Sequence, residues 1–536
     1  MYDADFIIIG SGHNGLTTAL MLAREGYKVL VLERSKLPGG AAKTSEVTIK
    51  GFRHDLFATN IGLFLGSPIY KEMGKQLHEK GLEVVIADKP FASAFPDGDV
   101  ARVYMDKQKT LNEFARQSLK DAESWKQLLA YFEQVSPYLM SLSQKEMPSW
   151  PLVREVYKLY RNVGRDGVLD LVKMLLSTSR QFTESWFESE KIKSLFIPWG
   201  FHLDYAPDVA GGAMFPFLEV PLDYKNGMAL AKGGISNMIN AMVSLLESMG
   251  GKVELGRQVE QILLENGRAV GVILGDGQKV YAQHAVIANI HPSQLIEKLV
   301  PVEALPSIYV QKVRKFQNGP GTMMIHMALD GPLEWNASED LSQFCYVHIC
   351  PYTSDVAQTY TDALNQRLPA SPMLVIGQQS AVDSSRAPKG KHTLWVQVRA
   401  LPYRPKSDAL DLIHPDTWEN IKECYAERVI DKISHYAPDI KQKILSACTM
   451  SPADLVKENP NLVGGDSVGG SHQLQQNYLF RPIPGRSKYD TPIEGLYLVG
   501  ASTWPGAGLN ATSGYLLAKR LLRKNFKRKK QLESVH

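Results

Sequence analysis

At 536 residues the chain is too long for one compact core, which predicts two domains built around discontinuous segments. Its 44% apolar and 22% charged content is that of a globular enzyme, and a net charge of +4 over this length is too small to suggest a nucleic-acid partner. No apolar run reaches the roughly 20 residues of a membrane span, and a first strand opening at Asp5 leaves no room for a signal or transit peptide, so the expected location is cytoplasmic.

The chain opens with Asp5-Phe6-Ile7-Ile8-Ile9, a short apolar run that reads as a strand buried on both faces of a parallel sheet. Gly10-Ser11-Gly12-His13-Asn14-Gly15 makes the turn, and Leu16 to Glu25 has helical spacing. Gly10 permits the tight turn, Gly12 lets a pyrophosphate approach the backbone, and Gly15 brings the helix close to the strand. The free N–H groups and positive end of that helix would hold phosphates. A second strand, Lys28 to Leu32, ends at Glu33, followed by Arg34. The Glu33 carboxylate can accept hydrogen bonds from an adenosine ribose, so strand, turn, helix, strand and acid together predict a dinucleotide site.

Beyond Glu33, Leu37-Pro38-Gly39-Gly40-Ala41-Ala42-Lys43-Thr44 supplies a glycine pair and then a hydroxyl residue. This arrangement resembles FAD-binding oxidoreductases of the phytoene desaturase and amine oxidase superfamily, in which the glycine pair lies against FAD. Many of those families have arginine directly after the pair, where this chain has Ala41; Lys43 is the nearby cation that could substitute.

Gly51 to Gly66 is expected to run along the cofactor. It contains His54 and Asp55, which read either as an acid–base pair or, preferably, as loop groups satisfying backbone or flavin hydrogen bonds. A helix is expected over 71–81, and strands over 82–86 and 100–104 around the turn Pro96-Asp97-Gly98. Residues 108–195 repeat apolar positions at helical spacing and form an insertion expected to cap a substrate cavity, with basic flanks that could also meet a membrane surface. The aromatic, glycine and proline-rich stretch from Phe196 to Phe217 reads as a loop, either lining an apolar pocket or forming plain core.

From Ala231 to Asn289 the pattern is a glycine pair, a helix over 235–249, a strand at Lys252 to Leu255, hairpins at Asn266-Gly267 and Asp276-Gly277, and a buried return strand over 285–289. This resembles the second nucleotide-domain segment of the same superfamily, where the strand around Val259 would meet the adenine through its backbone. Residues 300–480 predict an antiparallel sheet, with strands at 323–329, 373–377 and 393–398, covered by a helix over 418–436. Gly464-Gly465 to Gly469-Gly470 reads as a mobile loop, because no strand precedes it.

Gly495 to Gly500 is a strand, Ala501 to Gly508 a glycine-rich turn, and Gly514 to Leu522 a helix. This matches the C-terminal FAD motif of bacterial phytoene desaturases, desaturase-type carotene ketolases and pyridine nucleotide-disulphide oxidoreductase domain-containing proteins. The opening Gly-Ser-Gly-His-Asn-Gly-Leu, the Pro-Gly-Gly-Ala-Ala stretch and Trp186 to Glu190 look most like the ketolase and pyridine nucleotide-disulphide branch. Many relatives have histidine where Trp504 stands.

The fold class expected is α/β: a discontinuous Rossmann-like FAD-binding domain (1–90, 221–300 and 486–536) with a substrate domain of helical cap (91–220) and mixed sheet (301–485). The motifs and the resemblance together imply FAD contacts from Gly10, Gly12, His13, Asn14, Gly15, Glu33, Arg34, Gly39, Gly40, Ala41, Lys43, Thr44, Val259, Gly500, Ala501, Gly508 and Leu509. The implied reaction is hydride transfer from a C–H bond of a bulky apolar, carotenoid-like substrate to flavin, with oxygen or a quinone as acceptor. The alternatives are a flavin amine oxidase, which would need an aromatic cage, and a redox-silent FAD-binding interaction protein. No catalytic base stands out. The four cysteines include Cys345 and Cys350 at disulfide-reductase spacing, but they lie far from the nucleotide unit and read as structural thiols; no cysteine–histidine cluster has metal spacing. Eight basic residues between Lys519 and Lys530 form a tail that could bind an anionic membrane weakly, or only complement a helix dipole.

Overall fold

The computed structural model describes residues 2–350 and 352–533, without the side chains of residues 524–533. Two seven-stranded sheets organise it. The first has the order Val259–Glu265, Arg268–Leu274, Lys279–Ala288, Ala4–Ile9, Val29–Glu33, Lys252–Leu255, with Leu496–Leu498 beside Lys279–Ala288. Its core strands are parallel, and all but one of the residues of Ala4–Ile9 and Val29–Glu33 are buried. Such burial on both faces explains their unbroken apolar runs. Helices His13–Arg24, Ser236–Ser248 and Thr512–Glu533 supply apolar faces to one core on this sheet.

The first sheet thus joins residues from the start, middle and end of the chain. The single strand Lys279–Ala288 replaces the separate hairpin arm and return strand read from sequence. Its N-terminal half pairs antiparallel with Arg268–Leu274, and its C-terminal half pairs parallel with Ala4–Ile9.

The second sheet has the order Ile444–Met450, Gly321–Leu329, His392–Leu401, Leu374–Gly377, Tyr346–Ile349, Phe91–Ala94, Val100–Val103. It is antiparallel except for the parallel pair Tyr346–Ile349 and Phe91–Ala94. One face packs on helix Trp418–Ser434 through Leu394, Val396 and Val398. The alternate residues Trp395, Gln397 and Arg399 turn to the other face and line a cavity, as the period of two in a strand requires.

Two expectations fail on this sheet. The partner of Val100–Val103 around Pro96-Asp97-Gly98 is Phe91–Ala94, whose small residues hide a fully buried strand. Val84–Ala87 instead pairs with Met228–Ala231 in a separate ribbon.

Residues 107–186 form the helical insertion, through Lys107–Gln117, Leu119–Ser143, Trp150–Leu176 and Ser179–Trp186. Asp106, Ser118, Ser149 and Thr178 cap these four helices by accepting from first-turn N–H groups. Trp150–Leu176 breaks at Gly164, where φ is +71°. The Phe196 to Phe217 stretch is not a loop: it contains helix Ile197–Phe201 and the start of helix Met214–Asn226, which continues through Pro221. Burial of its Phe217, Val220 and Tyr224 among cap aromatics holds that helix despite the internal proline.

Candidate functional site

A cavity of about 450 Å³ runs from the first glycine turn to the inner face of the second sheet. At its nucleotide end, helix His13–Arg24 begins at Gly12, and no side chain caps its first N–H groups. Those donors are left for an anionic ligand, and the helix dipole reinforces them. A Cβ on Gly12 would lie 2.9 Å from Asn289 Nδ2, and one on Gly15 only 2.6 Å from the Gly10 carbonyl oxygen. The second glycine pair faces the first: Gly12 and Gly39 form a bridge, and a Cβ on Gly40 would meet Gly12 Cα at 3.3 Å. This cradle admits backbone and excludes side chains, which fits a dinucleotide pyrophosphate.

Glu33, at the end of its strand, is buried and lines the cavity. Its carboxylate accepts from the Ser11 N–H at 2.9 Å, Ser11 Oγ at 2.8 Å and the Ser35 N–H at 2.9 Å, which ties the acid to the turn it serves. Arg34 also lines the cavity, and donates to the Lys457 and Glu458 carbonyl oxygens. Val259, at the start of its strand, does so too.

The C-terminal turn closes the same end, with Gly500, Ala501, Gly508 and Leu509 in the wall. His13 and Asn14 lie between the two motifs. Asn14 Oδ1 accepts from the Gly514 N–H at 3.4 Å, and a Cβ on Gly514 would sit 2.0 Å from the Asn14 carbonyl oxygen. Burial lowers the His13 ring pKa to about 4, against a hydrogen bond from the ring to the Gly508 carbonyl that raises it, so the ring is neutral at pH 7.

Of the sequence-derived site residues, Gly39, Gly40, Ala41 and Lys43 reach the cavity wall, whereas Gly15 and Thr44 do not. Gly15 packs the helix on the turn, and Thr44 Oγ1 donates to Asp55 at 2.7 Å. Lys43 is almost fully buried and pairs with Glu458 at 2.8 Å, so its charge is already matched by a carboxylate. Asp55 is a structural hub rather than half of an acid–base pair. It also accepts from Thr59 Oγ1 and the Ile235 N–H, and meets Arg386 Nη1 at 2.9 Å. Arg386 in turn bonds Asp383 at 3.0 Å and the Ala231 carbonyl. His54 bonds Thr48 Oγ1 at 2.8 Å.

The stretch around Gly464 to Gly470, expected to be a mobile loop, is instead pinned into the site. Asp466 accepts from the N–H groups of Gly319, Val468 and Gly470, and buried Arg481 donates to the carbonyls of Gly469, Gly470, Ser471 and Ala501. Ser467, Val468 and Gly469 thereby line the cavity. Trp504 turns away from it, its Nε1 donating to the Lys145 carbonyl at 2.9 Å.

The far end of the cavity is a chamber that sequence reasoning left undefined. Tyr346 and Trp395 stack at 5.6 Å and 4°, and Trp199 continues the stack onto Tyr346 at 6.5 Å and 25°. The strand between them carries Gly377, paired with both; a Cβ there would lie 2.9 Å from Trp395 Cε3. The glycine therefore lets two large rings meet across an intervening strand. Phe215 and Glu219 complete the roof from helix Met214–Asn226. Burial lowers the Arg399 pKa to about 10, against Asp466 and Asp204, which raise it; the guanidinium stays charged and donates to Ser467 Oγ at 2.7 Å. Trp199, Glu219, Tyr346, Trp395 and Arg399 come from three separated segments, and only the alternation in His392–Leu401 and the aromatic density near 199 marked them in advance.

Cys345 and Cys350 are free and buried, and burial pushes both thiols up, Cys350 to about 12, so neither forms the thiolate that dithiol chemistry needs. Among the described residues there is no cluster suited to a metal ion and no helix long and apolar enough to cross a membrane.

A glycine turn on a parallel sheet, a buried acid at a strand end, a facing glycine pair and a C-terminal strand and turn all open on one cavity, and the protein is an FAD-dependent oxidoreductase. The chain belongs to the family described as flavin containing amine oxidoreductase, whose pattern matches residues 15–401. It is 28% identical to pyridine nucleotide-disulfide oxidoreductase domain-containing protein 2 of Rattus norvegicus, over 96% of this chain and 92% of that one. It is 25% identical to phytoene desaturase (neurosporene-forming) of Rhodobacter capsulatus, over 96% and 93%. An oxidoreductase from Methanosarcina mazei shares the fold, with a TM-score of 0.58 and 19% identity over 97% of this chain and 99% of that chain.

Proposed function

We propose that the enzyme dehydrogenates a bulky apolar, isoprenoid-like molecule held between the stacked wall Trp199, Tyr346, Trp395 and helix Met214–Asn226. The observation that carries this reading is the continuity of the cavity from the glycine turns to that aromatic chamber. Bound FAD supplies the hydride acceptor through its isoalloxazine ring. Segments 1–90, 221–300 and 486–536 hold the cofactor, and 91–220 with 301–485 enclose the substrate. N–H groups of the helix starting at His13 hold the pyrophosphate, Glu33 the ribose, and the backbone at Val259 the adenine. Gly39, Gly40, Ala41, Gly500, Ala501, Gly508 and Leu509 flank the remainder. Orientation of the C–H bond against the flavin supplies much of the rate.

The stacked rings and the buried Glu219 also favour a second reading, an amine substrate, since aromatic faces and a carboxylate attract a cation. Anaerobic mixing with isoprenoid hydrocarbons and with alkylamines separates the readings, because only a substrate bleaches the flavin. Bleaching by amines alone overturns the first, and bleaching by neither overturns both. Oxygen or a quinone then reoxidises the flavin, and the acceptor is the one that restores its colour.

Peripheral attachment to an anionic membrane in the cytoplasm belongs to the same proposal, because an apolar substrate resides there. The basic tail beyond Arg523 lies outside the described side chains, but helix Trp150–Leu176 offers a surface of its own. Val153, Tyr157 and Tyr160 are exposed beside a row of exposed Arg154, Lys158, Arg161 and Arg165. Salt-sensitive co-sedimentation with anionic vesicles, lost in the Arg154→Glu and Arg161→Glu variant, is the expected result.

A further inference from the structure

Helix Met214–Asn226 buries two carboxyls one turn apart, Glu219 and Asp223. Glu219 lines the chamber beside Phe215 and Trp199. Among the described residues it has no ion pair and no hydrogen-bond partner, and Asp223 leaves Oδ2 buried without one. An unpaired charge is costly in such a place, so each acid is driven toward its neutral form. Burial pushes the Glu219 carboxyl up to about 7, and burial with the Glu219 charge beside it pushes Asp223 well above the carboxylate range.

The titratable groups around the pair are each held in one protonation state at neutral pH, His348 against Trp199 and Tyr346 among them, its ring pKa lowered by burial to about 3. On the second sheet, Tyr346 feels both acids, and burial raises its hydroxyl far above neutrality. Cys345 beside it is likewise held protonated. On the cap helix Leu119–Ser143, Tyr131 is raised to about 12 by burial, and Glu133 is taken by Lys225 at 2.6 Å. Following helix Ile197–Phe201, burial drives the His202 pKa well below its ordinary value, and it stays neutral. Arg399 stays cationic and bonded to Ser467.

We infer that Glu219 is the proton acceptor of the substrate chamber, the catalytic base that the sequence did not reveal. The substrate loses a hydride to the bound FAD and a proton, from the neighbouring atom, to a carboxylate oxygen of Glu219. The electron pair of that second bond stays on the substrate as the new double bond. Asp223 retains its own proton behind Glu219, because two ionised carboxylates this close in a buried site repel. The assignment rests on the dehydrogenation reading for its chemistry, but the titration of Glu219 does not.

Two measurements on the holoenzyme test it. Infrared difference spectra between about pH 5 and about pH 9 are expected to show carboxylic C=O intensity that disappears on deprotonation, with one component, that of Glu219, missing from Glu219→Gln while the contribution of Asp204 remains. Anaerobic flavin bleaching by whichever compound reduces the wild type is expected to rise through the same pH range and then level off. In Glu219→Gln it should fall about 100-fold or more and lose that pH dependence, with FAD content unchanged; Glu219→Asp should recover part of the rate with a shifted profile. A band unaffected by Glu219→Gln, or bleaching by that variant at the wild-type rate, overturns the assignment. If no compound bleaches the wild-type flavin, the dehydrogenation reading falls, while the infrared band still decides whether Glu219 exchanges a proton there.

Discussion

The two ends of the cavity are built on opposite principles. At the nucleotide end and the joint beside it, buried carboxylates are satisfied by protein donors: Glu33 is held by Ser11 and Ser35, and Asp55 by Thr44, Thr59, Ile235 and Arg386. Around the chamber, polar atoms of buried side chains stand without protein partners, among them Trp199 Nε1, His202 Nε2, Trp395 Nε1, Arg399 Nε and both ring nitrogens of His348. A fixed ligand of known shape permits a closed hydrogen-bond network. A chamber for varied or apolar ligands tolerates unpaired donors because aromatic packing carries its stability.

The sharpest break of this contrast is Arg386→Met. It leaves Asp55 and Asp383 buried and unpaired on the joint between the two regions, with an expected loss of about 3–5 kcal/mol in denaturant unfolding. A loss confined to one region would show that the joint does not couple them.

Acid should act mainly on the histidines. His13, His54, His202, His291, His326, His348 and His472 all have lowered ring pKa values, each through burial first. Each binds its proton less well folded than unfolded, so its contribution is complete above the unfolded value of 6.5 and is lost as pH falls toward about 4. The raised carboxyls Asp204, Glu219, Asp223 and Asp466 work in the opposite sense, stabilising as pH falls from about 7, but are fewer. The unfolding free energy is therefore expected to fall between pH 6.5 and 4, by up to about 1.4 kcal/mol per pH unit for each uncompensated histidine, and to be read as a lower thermal midpoint.

Glu33→Ala should cost about 1.5–3 kcal/mol of FAD affinity through lost charge-assisted bonds, read as cofactor occupancy. Gly377→Val sharpens the comparison from the other side. Its added side chain pushes Trp395 off Tyr346, which should cost about 1–3 kcal/mol and slow flavin bleaching, while FAD content holds. Smallest of all, Cys345→Ser and Cys350→Ser should leave flavin reduction unchanged in stopped-flow traces, since neither buried thiol ionises at neutral pH.

The same contrast decides what the sequence could disclose. The nucleotide end was legible because its chemistry is written in contiguous stretches: Gly10 to Gly15, Glu33, Gly39-Gly40 and the turn at Gly500 are each recognisable from neighbours alone. The chamber was not, because Glu219 means nothing until helix Met214–Asn226 forms across two prolines, and Tyr346 and Trp395 become neighbours only when Gly377 lies between them. Phe91–Ala94 was missed for a related reason, since its small residues gain strand character only by burial in the sheet. Arg386 and Arg481 were missed because a buried arginine is defined by distant carboxylates and carbonyls.

The strand Leu496–Leu498 seats itself beside Val286 to Ala288, the turn after it reaches back to His13, and the helix that follows reaches Asn14. During synthesis the N-terminal end emerges first, so the glycine turn must wait for almost the whole polypeptide before its last wall arrives. Full FAD retention is therefore expected only once residues 496–514 are present, and a nascent chain stalled before residue 496 should present a cavity that lacks one wall.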